Sequence, residues 1–565
     1  MRYFIQILLS LRNIAIFLFL FSFCHSLSGQ NQYLLISSTH ADEQKKIDSI
    51  GFVSQHQNAK SVLSEVSSFS DKLLQQGYIE LEIEQYSKSN DSTFAYQFRL
   101  GKKTPYLYIY KRKSVQFEEL WSTNKNEDTI KVAMTEVENF LKNTLAKLEK
   151  DGFALSKIKL SDFAIKGNKL TAALTLKKES QRRLSDIVIK GVEKFPENHR
   201  RQLVNSYKKR IFNQENLKNI YQDIEKFRFV KQVKFPEILF KTDSTKVYCY
   251  VSKSKTNTFD GFIGFSNNES QDLVVNGYID LVLNNLLNTG ETLAINWKSN
   301  GEDQKTFSAS IELPYIFNSP LAIKTHLNIF KQDSTFQNTE TAINLGYLFN
   351  YNKRLFLGYQ SSESSDIQNT NTINLSDYSN SFITTQFQFF DFKTDEFVFP
   401  EKTRIDLKAG IGSRLAKFNK NDQTFFNFDV KHIFFLNQKN NIQIRSHNYF
   451  LKSTEYIVNE LYRFGGINSI RGFNENSLQA NLFSSVLSEY RYVIAPNFYI
   501  HSITDYGYYD DQTTETKGSL LGLGLGFGLL TKNGLFNLVY ANGSSGGQEI
   551  QGRNSIIHVS FKTQF

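Results

Sequence analysis

Residues 404–411 read Arg-Ile-Asp-Leu-Lys-Ala-Gly-Ile, and every second side chain in this stretch is apolar. A β-strand turns successive side chains to opposite faces, so this pattern predicts a strand with one apolar and one wet face. The same alternation recurs at residues 321–329 and at 557–565, close to the end of the 565-residue chain. The fold of the second half of the chain follows from this pattern.

The alternating pattern repeats throughout residues 257–565 and predicts sixteen strands. Connectors after even-numbered strands are mostly short, whereas the long ones, such as 365–378 and 453–479, follow odd-numbered strands. Short turns on one side and long loops on the other are typical of an outer-membrane barrel. We therefore expect a sixteen-stranded antiparallel transmembrane β-barrel, which fits better than the rival soluble β-sandwich or propeller because lipid leaves no place for an open sheet edge.

Composition agrees with a barrel and argues against a helical membrane protein. Mean hydropathy is −0.38 and aromatic residues make up 14% of the chain. After the N-terminus there is no apolar run of about 18 residues, the length that a membrane-spanning helix needs. The net charge of +10 could suit nucleic acid, but we expect solvated lysines and no nucleic-acid partner, because the chain carries an export signal.

Residues 1–29 resemble a secretory signal peptide. Arg2 precedes the mostly apolar stretch 4–23, and Ser26 and Ser28 are small residues suited to cleavage. A membrane anchor is the alternative interpretation. Cleavage would leave Cys249 as the only cysteine, so no internal disulfide is expected.

Residues 30–256 mix helical and strand patterns with a period of about 75 residues, a spacing that indicates an array of small modules. Glycines follow two of the helical stripes, as is common at helix C-termini. We expect α+β modules over 30–103, 104–180 and 181–256, ahead of a barrel over 257–565. A single α+β domain without repeats is the alternative. The apolar helix stripes are Val62, Val66, Phe69 and Leu73; Val137, Phe140, Leu141, Leu145 and Leu148; and Leu217, Ile220, Ile224 and Phe227.

The longest loop carries Arg463-Phe464-Gly465-Gly466-Ile467 and then Asn468-Ser469-Ile470-Arg471-Gly472-Phe473. Its glycines permit a tight, folded-back path because glycine tolerates positive φ. If the loop lies in the lumen, the Arg471 guanidinium could reach Asp505 or Glu489 on the following strands and form a bidentate ion pair. The alternative is an exposed arginine in a flexible loop.

This loop sequence resembles the sixth-loop signature of the BamA/TamA superfamily of outer-membrane assembly and secretion barrels. The resemblance extends to Glu489–Arg491, to Asp505–Gly507, to the glycine-rich strand with Gly522, Gly524 and Gly526, and to the terminal Phe565. The predicted modules resemble POTRA domains, and their number is closest to that of TamA.

The resemblance implies that Arg471, with Gly472, Phe473, Gly465 and Gly466 around it, locks the loop against Glu489 and Asp505. It also implies a lateral gate between the first and last strands, where client strands add to an exposed edge. The candidate gate strands are 259–265 and 556–565, with Phe259, Phe262, Phe561 and Phe565.

We therefore expect a non-enzymatic assembly factor in the outer membrane of a Gram-negative bacterium, with its modules in the periplasm. Its expected partners are the lipid bilayer, unfolded client proteins and accessory periplasmic or lipoprotein subunits. A dedicated exporter of one secreted partner, or a passive porin-like channel, are the alternatives. We expect no cofactor, metal or catalytic residue: residues 543–547 match the G-x-S-x-G pattern of serine hydrolases, but without the strand-to-helix elbow that this chemistry needs.

Overall fold

The computed structural model of the protein describes residues 31–111, 129–167, 169–267, 273–300, 304–372, 374–393, 398–417, 419–546 and 555–565. The expected signal peptide at 1–29 lies outside these residues. The described residues form three small α+β modules, each with one sheet, followed by a large barrel. The expected mainly β fold class is therefore confirmed.

The first module packs two helices on a sheet with strand order β2-β1-β4-β3. The predicted stripe of Val62, Val66, Phe69 and Leu73 is buried in its core. Its other helix was not predicted from the sequence, because only Ile47 of that helix is buried. The elements are β1 Gln32–Ser37, α1 Ala41–Ile50, β2 Gln55–His56, α2 Ala59–Gln75, β3 Glu82–Asn90 and β4 Thr93–Arg99.

The second module has the sheet order β6-β5-β8-β7 and one described helix. In the predicted stripe Leu148 is fully buried, while Val137, Phe140 and Leu141 are partly buried against the same core. The elements are β5 Tyr106–Lys111, β6 Thr129–Ala133, α3 Val137–Lys150, β7 Lys157–Lys166 and β8 Lys169–Lys177.

The third module places two helices beside a sheet of order β10-β11-β9. Leu217, Ile220, Ile224 and Phe227 are all buried, as their spacing predicted. Helix α4 was missed, because its buried side chains include the polar His199 and so give a weaker apolar stripe. The elements are β9 Leu184–Lys190, α4 Glu197–Tyr207, α5 Gln214–Glu225, β10 Val230–Phe240 and β11 Thr245–Lys253.

The chain divides into two compact units. One comprises residues up to Arg182 together with Ile211–Gln214, and the other comprises Arg183–Arg210 and Glu215–Phe565. The third module and the barrel therefore form one unit. The elements of the three sheets lie within the ranges 30–103, 104–180 and 181–256, and these module boundaries themselves stay a prediction.

Sixteen antiparallel strands close into the barrel, in sequence order apart from a small hairpin in the longest loop. The predicted number of strands is confirmed. The strands are β12 Thr258–Asn267, β13 Leu273–Asn284, β14 Thr292–Asn300, β15 Gln304–Ile316, β16 Leu321–Gln332, β17 Phe336–Asn350, β18 Lys353–Asp366, β19 Tyr378–Phe392, β20 Glu401–Ala416, β21 Lys420–Phe435, β22 Asn440–Lys452, β25 Leu482–Ala495, β26 Phe498–Asp511, β27 Thr516–Leu530, β28 Leu535–Ser545 and β29 Ser555–Gln564.

The outer surface of the barrel is apolar. From Ala342 to Phe349 of β17 the exposed side chains are Ile343, Leu345, Tyr347 and Phe349, and the residues between them face inwards. Continuous exposed apolar surface is costly in water, whereas a bilayer accommodates it. The strand pattern is therefore that of a membrane-spanning barrel.

No helix within the described ranges is long and apolar enough to cross a membrane.

The connectors between strands differ in length on the two sides of the barrel. The turn after β17 is short, at Tyr351–Asn352, as is the turn after β25, at Pro496–Asn497, whereas the loop after β22 runs over 453–481. The predicted asymmetry of turns and loops is present, and the long loop leaves the barrel on the side opposite the third module.

Helix α4 of the third module inserts a histidine into the rim of the barrel. The His199 ring is fully buried and makes edge-to-face contacts with Tyr315, Phe227 and Phe229. A Cβ at Gly290, in the turn after β13, would lie 1.9 Å from the His199 ring, so only glycine fits there. We call this contact the rim joint.

Candidate functional site

The long loop folds back into the barrel on a short hairpin. Strands β23 (Tyr462–Phe464) and β24 (Leu478–Ala480) pair antiparallel at its base. Phe464 stacks on Phe483 of the barrel wall with ring centroids 4.1 Å apart. Ile470 lies in the same buried cluster, against which Phe473 is packed, so the tip of the loop is anchored by burial of apolar side chains.

Arg471 lies inside the barrel against two carboxylates. Its Nε donates to Asp505 Oδ2 at 2.7 Å and its Nη2 to Asp505 Oδ1 at 2.5 Å, which makes a bidentate pair. Its backbone N–H also donates to Asp505 Oδ2, at 3.1 Å, and its Nη1 donates to Glu489. The structure thus brings together the three residues that the sequence singled out.

The surrounding charges are balanced. The Nε of Arg491 donates to Glu489 Oε2 at 2.8 Å, so two arginines face two carboxylates. The side chain of Asp505 is fully buried and that of Arg471 nearly so. Removing one partner of such a buried pair leaves the other charge buried without a counter-ion, which destabilises the folded state by roughly 3–5 kcal/mol. This geometry suits a lock on the position of the loop, and that role stays a prediction.

Glycines on three neighbouring strands make room for the loop tip. A Cβ at Gly522 would lie 2.3 Å from the Arg471 carbonyl oxygen, one at Gly543 would lie 2.4 Å from the Gly472 carbonyl oxygen, and one at Gly507 would meet Ile470. We call Gly507, Gly522 and Gly543 the glycine socket. In the sequence Gly522 belongs to a glycine-rich strand, but nothing there reveals that it contacts the loop.

The glycines of the loop itself adopt conformations that other residues avoid. Gly465, Gly466 and Gly472 have φ of 107°, 96° and 88°. A Cβ at Gly465 would also lie 2.4 Å from the Asn474 carbonyl oxygen. The fold-back expected from these residues is present.

The seam between the first and last strands is short. The register of β12 with β29 consists of two residue pairs among the described residues, Thr258↔Gln564 and Phe259↔Thr563. On its other side β29 pairs with β28 from Leu535↔Lys562 to Asn542↔Ser555. The backbone groups of β29 that face β12 are therefore largely unpaired with it.

The side chains predicted for the gate are distributed around this seam. Phe259, Phe561 and Phe565 are exposed, while only the backbone of Phe262 is described, opposite Tyr278. Sequence analysis missed Asp260, whose Oδ1 accepts from the Phe561 backbone N–H at 3.3 Å and from the Tyr278 hydroxyl at 2.6 Å. A side chain thus replaces a strand partner where the pairing stops.

Nothing in the described residues identifies an enzymatic centre. Gly543–Ser545 of the G-x-S-x-G match lie within β28, and Gly547 lies outside the described residues. No cluster of three or more potential metal-binding side chains occurs in the described ranges. The absence of enzymatic activity stays a prediction.

Comparison with solved structures finds similar chains at low sequence identity. CdiB from Acinetobacter baumannii matches with a TM-score of 0.50 at 15% identity, over 88% of this chain and 97% of that chain. CdiB from Escherichia coli matches with a TM-score of 0.49 at 12% identity, over 89% and 98%. BamA from Haemophilus ducreyi lacking POTRA domains 1–3 matches with a TM-score of 0.47 at 15% identity, over 81% and 99%.

No protein-family model matches the chain, and no curated protein matches it significantly. At these identities the likeness concerns the fold alone. The resemblance drawn from the loop motif is thus confirmed at the level of the fold.

Proposed function

We propose that this protein is an outer-membrane factor that assembles β-barrel proteins, or helps clients across the membrane, through a lateral opening between β12 and β29. The observation that carries the proposal is the short seam. Two residue pairs hold strands that are otherwise long enough for a full ladder.

An incompletely paired strand edge inside a bilayer favours binding of another strand. Lipid offers no hydrogen bonds, so unpaired N–H and C=O groups there are costly and favour pairing with an incoming strand. Strand addition uses main-chain hydrogen bonds, which depend little on the client's sequence. Such a seam therefore suits a factor that acts on many different clients.

The Arg471 site complements the seam. It fixes the loop on β25 and β26, and the glycine socket continues this contact to β27 and β28, the strands that lead to β29. We propose that this contact holds the wall beside the seam in place while the seam itself opens. No catalytic residue is needed, because client insertion exchanges hydrogen bonds and breaks no covalent bond.

The modules offer further edges to clients. Strand β3 is exposed along its whole length at the edge of the first sheet. Strand β10 occupies the equivalent edge of the third module and exposes Val233 and Phe235. We propose that unfolded clients or accessory subunits pair with these edges in the periplasm.

A dedicated exporter of one partner is the second candidate, since the resembled superfamily includes secretion barrels. A passive porin-like channel fits less well, because the Arg471 loop occupies the lumen. The exporter and the assembly factor differ in how many proteins depend on this chain.

Quantitative proteomics of outer membranes and culture medium, with and without this protein, tests the proposal. We expect many different barrels to be lost from the membrane. Loss of a single protein from the medium, with unchanged membranes, would identify an exporter. No change in either fraction would refute both.

A further inference from the structure

A cavity lies beside the rim joint, where the third module meets the edge of the barrel. Its volume is about 250 Å³, just below the roughly 300–1,000 Å³ that is usual for small-molecule sites. Strands β15 and β17 and the turns after them form one wall. Helices α4 and α5 and the residues after α5 form the other, whose polar lining residues are Gln202, Asn205, Ser206, Asp223 and Lys226. The size and this lining suit a small polar group.

The polar wall carries one cation and one anion. Lys226 Nζ lies 2.6 Å from Asp223 Oδ1, and these side chains are 32% and 28% exposed. The Tyr207 hydroxyl donates to Asp223 Oδ2 at 2.6 Å and so fixes the carboxylate. Of the described residues that line the cavity, Asp223 and Lys226 are the charged ones, so the wall is neutral as a whole. Because an ammonium has three N–H donors, Lys226 can bind a further anion beside Asp223.

The barrel wall of the cavity is continuous with the apolar outer surface. Tyr347 and Phe349 line the cavity and are also the last exposed apolar side chains of β17 before the turn at Tyr351–Asn352. Their ring centroids are 5.2 Å apart, in an edge-to-face arrangement. Aromatic side chains of membrane barrels concentrate where acyl chains give way to headgroups. The cavity therefore lies at this boundary.

The turn beside the cavity carries an exposed phenylalanine. Phe317 is 86% exposed and has a φ of 53°, a left-handed conformation that is rare for bulky residues and costs free energy. Pro320 of the same turn lines the cavity, and Gln202 of α4 donates to the Asn318 carbonyl at 2.7 Å. The turn is thus held beside the cavity with an apolar ring that no protein contact buries, and acyl chains are the surroundings that suit such a ring.

We propose that this cavity binds the headgroup of a phospholipid from the leaflet that faces the third module, the periplasmic leaflet in the proposed orientation. Lys226 binds the phosphate and Asp223 accepts from the ammonium group of a phosphoethanolamine headgroup. The acyl chains run along Tyr347, Phe349 and Phe317. A headgroup with both charges matches the neutral ion pair, whereas phosphatidylglycerol lacks the ammonium and phosphatidylcholine lacks its N–H donors.

The bound lipid joins the third module to the bilayer at the rim joint. This role does not require the seam to open, so the inference goes beyond the proposed function and does not rest on it. It assigns a ligand to the pair of Asp223 and Lys226, which the loop motif and the seam do not involve.

Native mass spectrometry of the purified full-length protein tests the proposal. The protein is released from detergent micelles that contain phosphatidylethanolamine, phosphatidylglycerol or phosphatidylcholine with the same acyl chains. We expect the fraction that retains one lipid to be several-fold higher with phosphatidylethanolamine than with the other two. Equal retention of the three lipids would contradict the assigned headgroup and overturn the proposal.

A charge variant and its control locate the lipid. Lys226→Gln removes the cation of the site, so we expect retention of phosphatidylethanolamine to fall several-fold. Lys218→Gln makes the same change at an exposed position of α5 that does not line the cavity, and parent-like retention is expected. An equal fall in both variants would indicate lipids bound elsewhere through general charge, and it would overturn the site.

An apolar variant tests the acyl contact without touching the ion pair. Phe317→Asn removes the ring, and asparagine tolerates the left-handed conformation, so the fold is expected to persist while retention falls. Leu436→Asn is the matched control, because Leu436 is 60% exposed beside the turn after β21 and does not line the cavity. No change is expected there, and an equal fall in both variants would count against the site.

Heat-modifiable electrophoretic mobility identifies the variants that fold. Parent-like retention in folded Lys226→Gln and Phe317→Asn would overturn the proposal, and if Lys226→Gln does not fold, Phe317→Asn decides with the lipid series. Inorganic phosphate should not displace the lipid. Displacement would mean a site for a free anion and would overturn the lipid assignment. No client is present in these measurements, so the lipid site and the proposed function can fail independently.

Discussion

The seam and the opposite wall of the barrel are built from the same kind of strand but are joined very differently. Strands β20 and β21 pair continuously from Thr403↔His432 to Leu415↔Lys420, whereas β12 and β29 pair at two positions. The apolar alternation of β29 is intact, with Ile557, Val559 and Phe561 exposed. The short seam is therefore not a consequence of a poor strand sequence.

The contacts that hold the barrel wall in place are concentrated outside the seam. Buried ion pairs, the glycine socket and the rim joint all lie on strands and turns other than β12 and β29. We call these contacts the frame of the barrel. Because they hold the other strands and turns in place, we expect the barrel to open only where β12 meets β29. Variants and a change of pH that weaken either the frame or the seam follow, from the strongest expected effect to the weakest.

Arg471→Ala should have the largest effect. It leaves Asp505 and Glu489 in a buried site without the Arg471 cation, which destabilises that site by roughly 3–5 kcal/mol. We expect the barrel to form, the tip of the loop to become sensitive to protease, and client assembly to fall. Limited proteolysis of outer membranes and barrel levels provide the measurements. Normal assembly with a protease-resistant loop would contradict the lock.

The rim joint should weaken in acid. Burial, with a further contribution from the Arg354 cation, lowers the pKa of His199 to about 3. The folded joint therefore binds fewer protons than the undocked chain between pH 3 and the ordinary His pKa of about 6.5. Its stability is fully present above that range and is lost as the pH falls through it.

Hydrogen exchange of Glu197–Tyr207 measures this effect. We expect faster exchange at pH 5 than at pH 7.5, after correction for intrinsic rates. The charged and titratable groups that face His199 are Arg354, which pairs with Glu312, and the rings of Tyr315 and Tyr351. His199→Phe keeps a ring in the same space and should remove the pH dependence. An equally acid-sensitive His199→Phe variant would place the cause elsewhere.

Gly522→Ala should disturb the frame more locally. Its Cβ would lie 2.3 Å from the Arg471 carbonyl, and overpacking of this kind costs about 1–3 kcal/mol. Gly518→Ala on the same strand is the matched control, because its Cβ would meet Tyr509 at an ordinary 3.4 Å. We expect only Gly522→Ala to raise protease sensitivity of the loop. Identical behaviour of the two variants would argue against the socket.

Asp260→Ala should have the smallest effect and acts on the seam itself. It removes the hydrogen bonds that Asp260 Oδ1 accepts from the exposed Phe561 N–H and from the Tyr278 hydroxyl, each a contribution of about 0.5–1.5 kcal/mol. Hydrogen exchange at Phe561 should become faster, whereas exchange at Val539, within the fully paired β27–β28 ladder, should not change. Unchanged exchange at Phe561 would mean that Asp260 contributes nothing to the seam.

Much of the barrel fold was predictable from the sequence, because period-two alternation is the direct signature of strands. It predicted the sixteen strands, and the loop motif pointed to Arg471, Glu489 and Asp505. The features that the sequence did not predict depend on contacts between residues far apart in the chain. Nothing local marks Arg414 as the partner of Glu460, 46 residues away, and an isolated His199 gives no sign that it fits against Gly290.

The shortness of the seam was equally hidden. The sequence of β29 predicts a strand but not how far it pairs with β12, since register between distant strands depends on closure of the whole barrel. Gly522, the glycine of the socket in β27, belongs to a glycine-rich stretch of the sequence, but its contact with the loop is visible only in the three-dimensional structure.

The most direct test of the account is a reversible lock on the seam. Phe259→Cys with Thr563→Cys places cysteines at directly opposed positions of β12 and β29, a separation within disulfide reach. Leu538→Cys with Val559→Cys makes the matched link between β28 and β29, which does not cross the seam. We predict that the first disulfide stops client assembly until a reductant is added and that the second does not. Full assembly by the protein with its seam locked would contradict lateral opening.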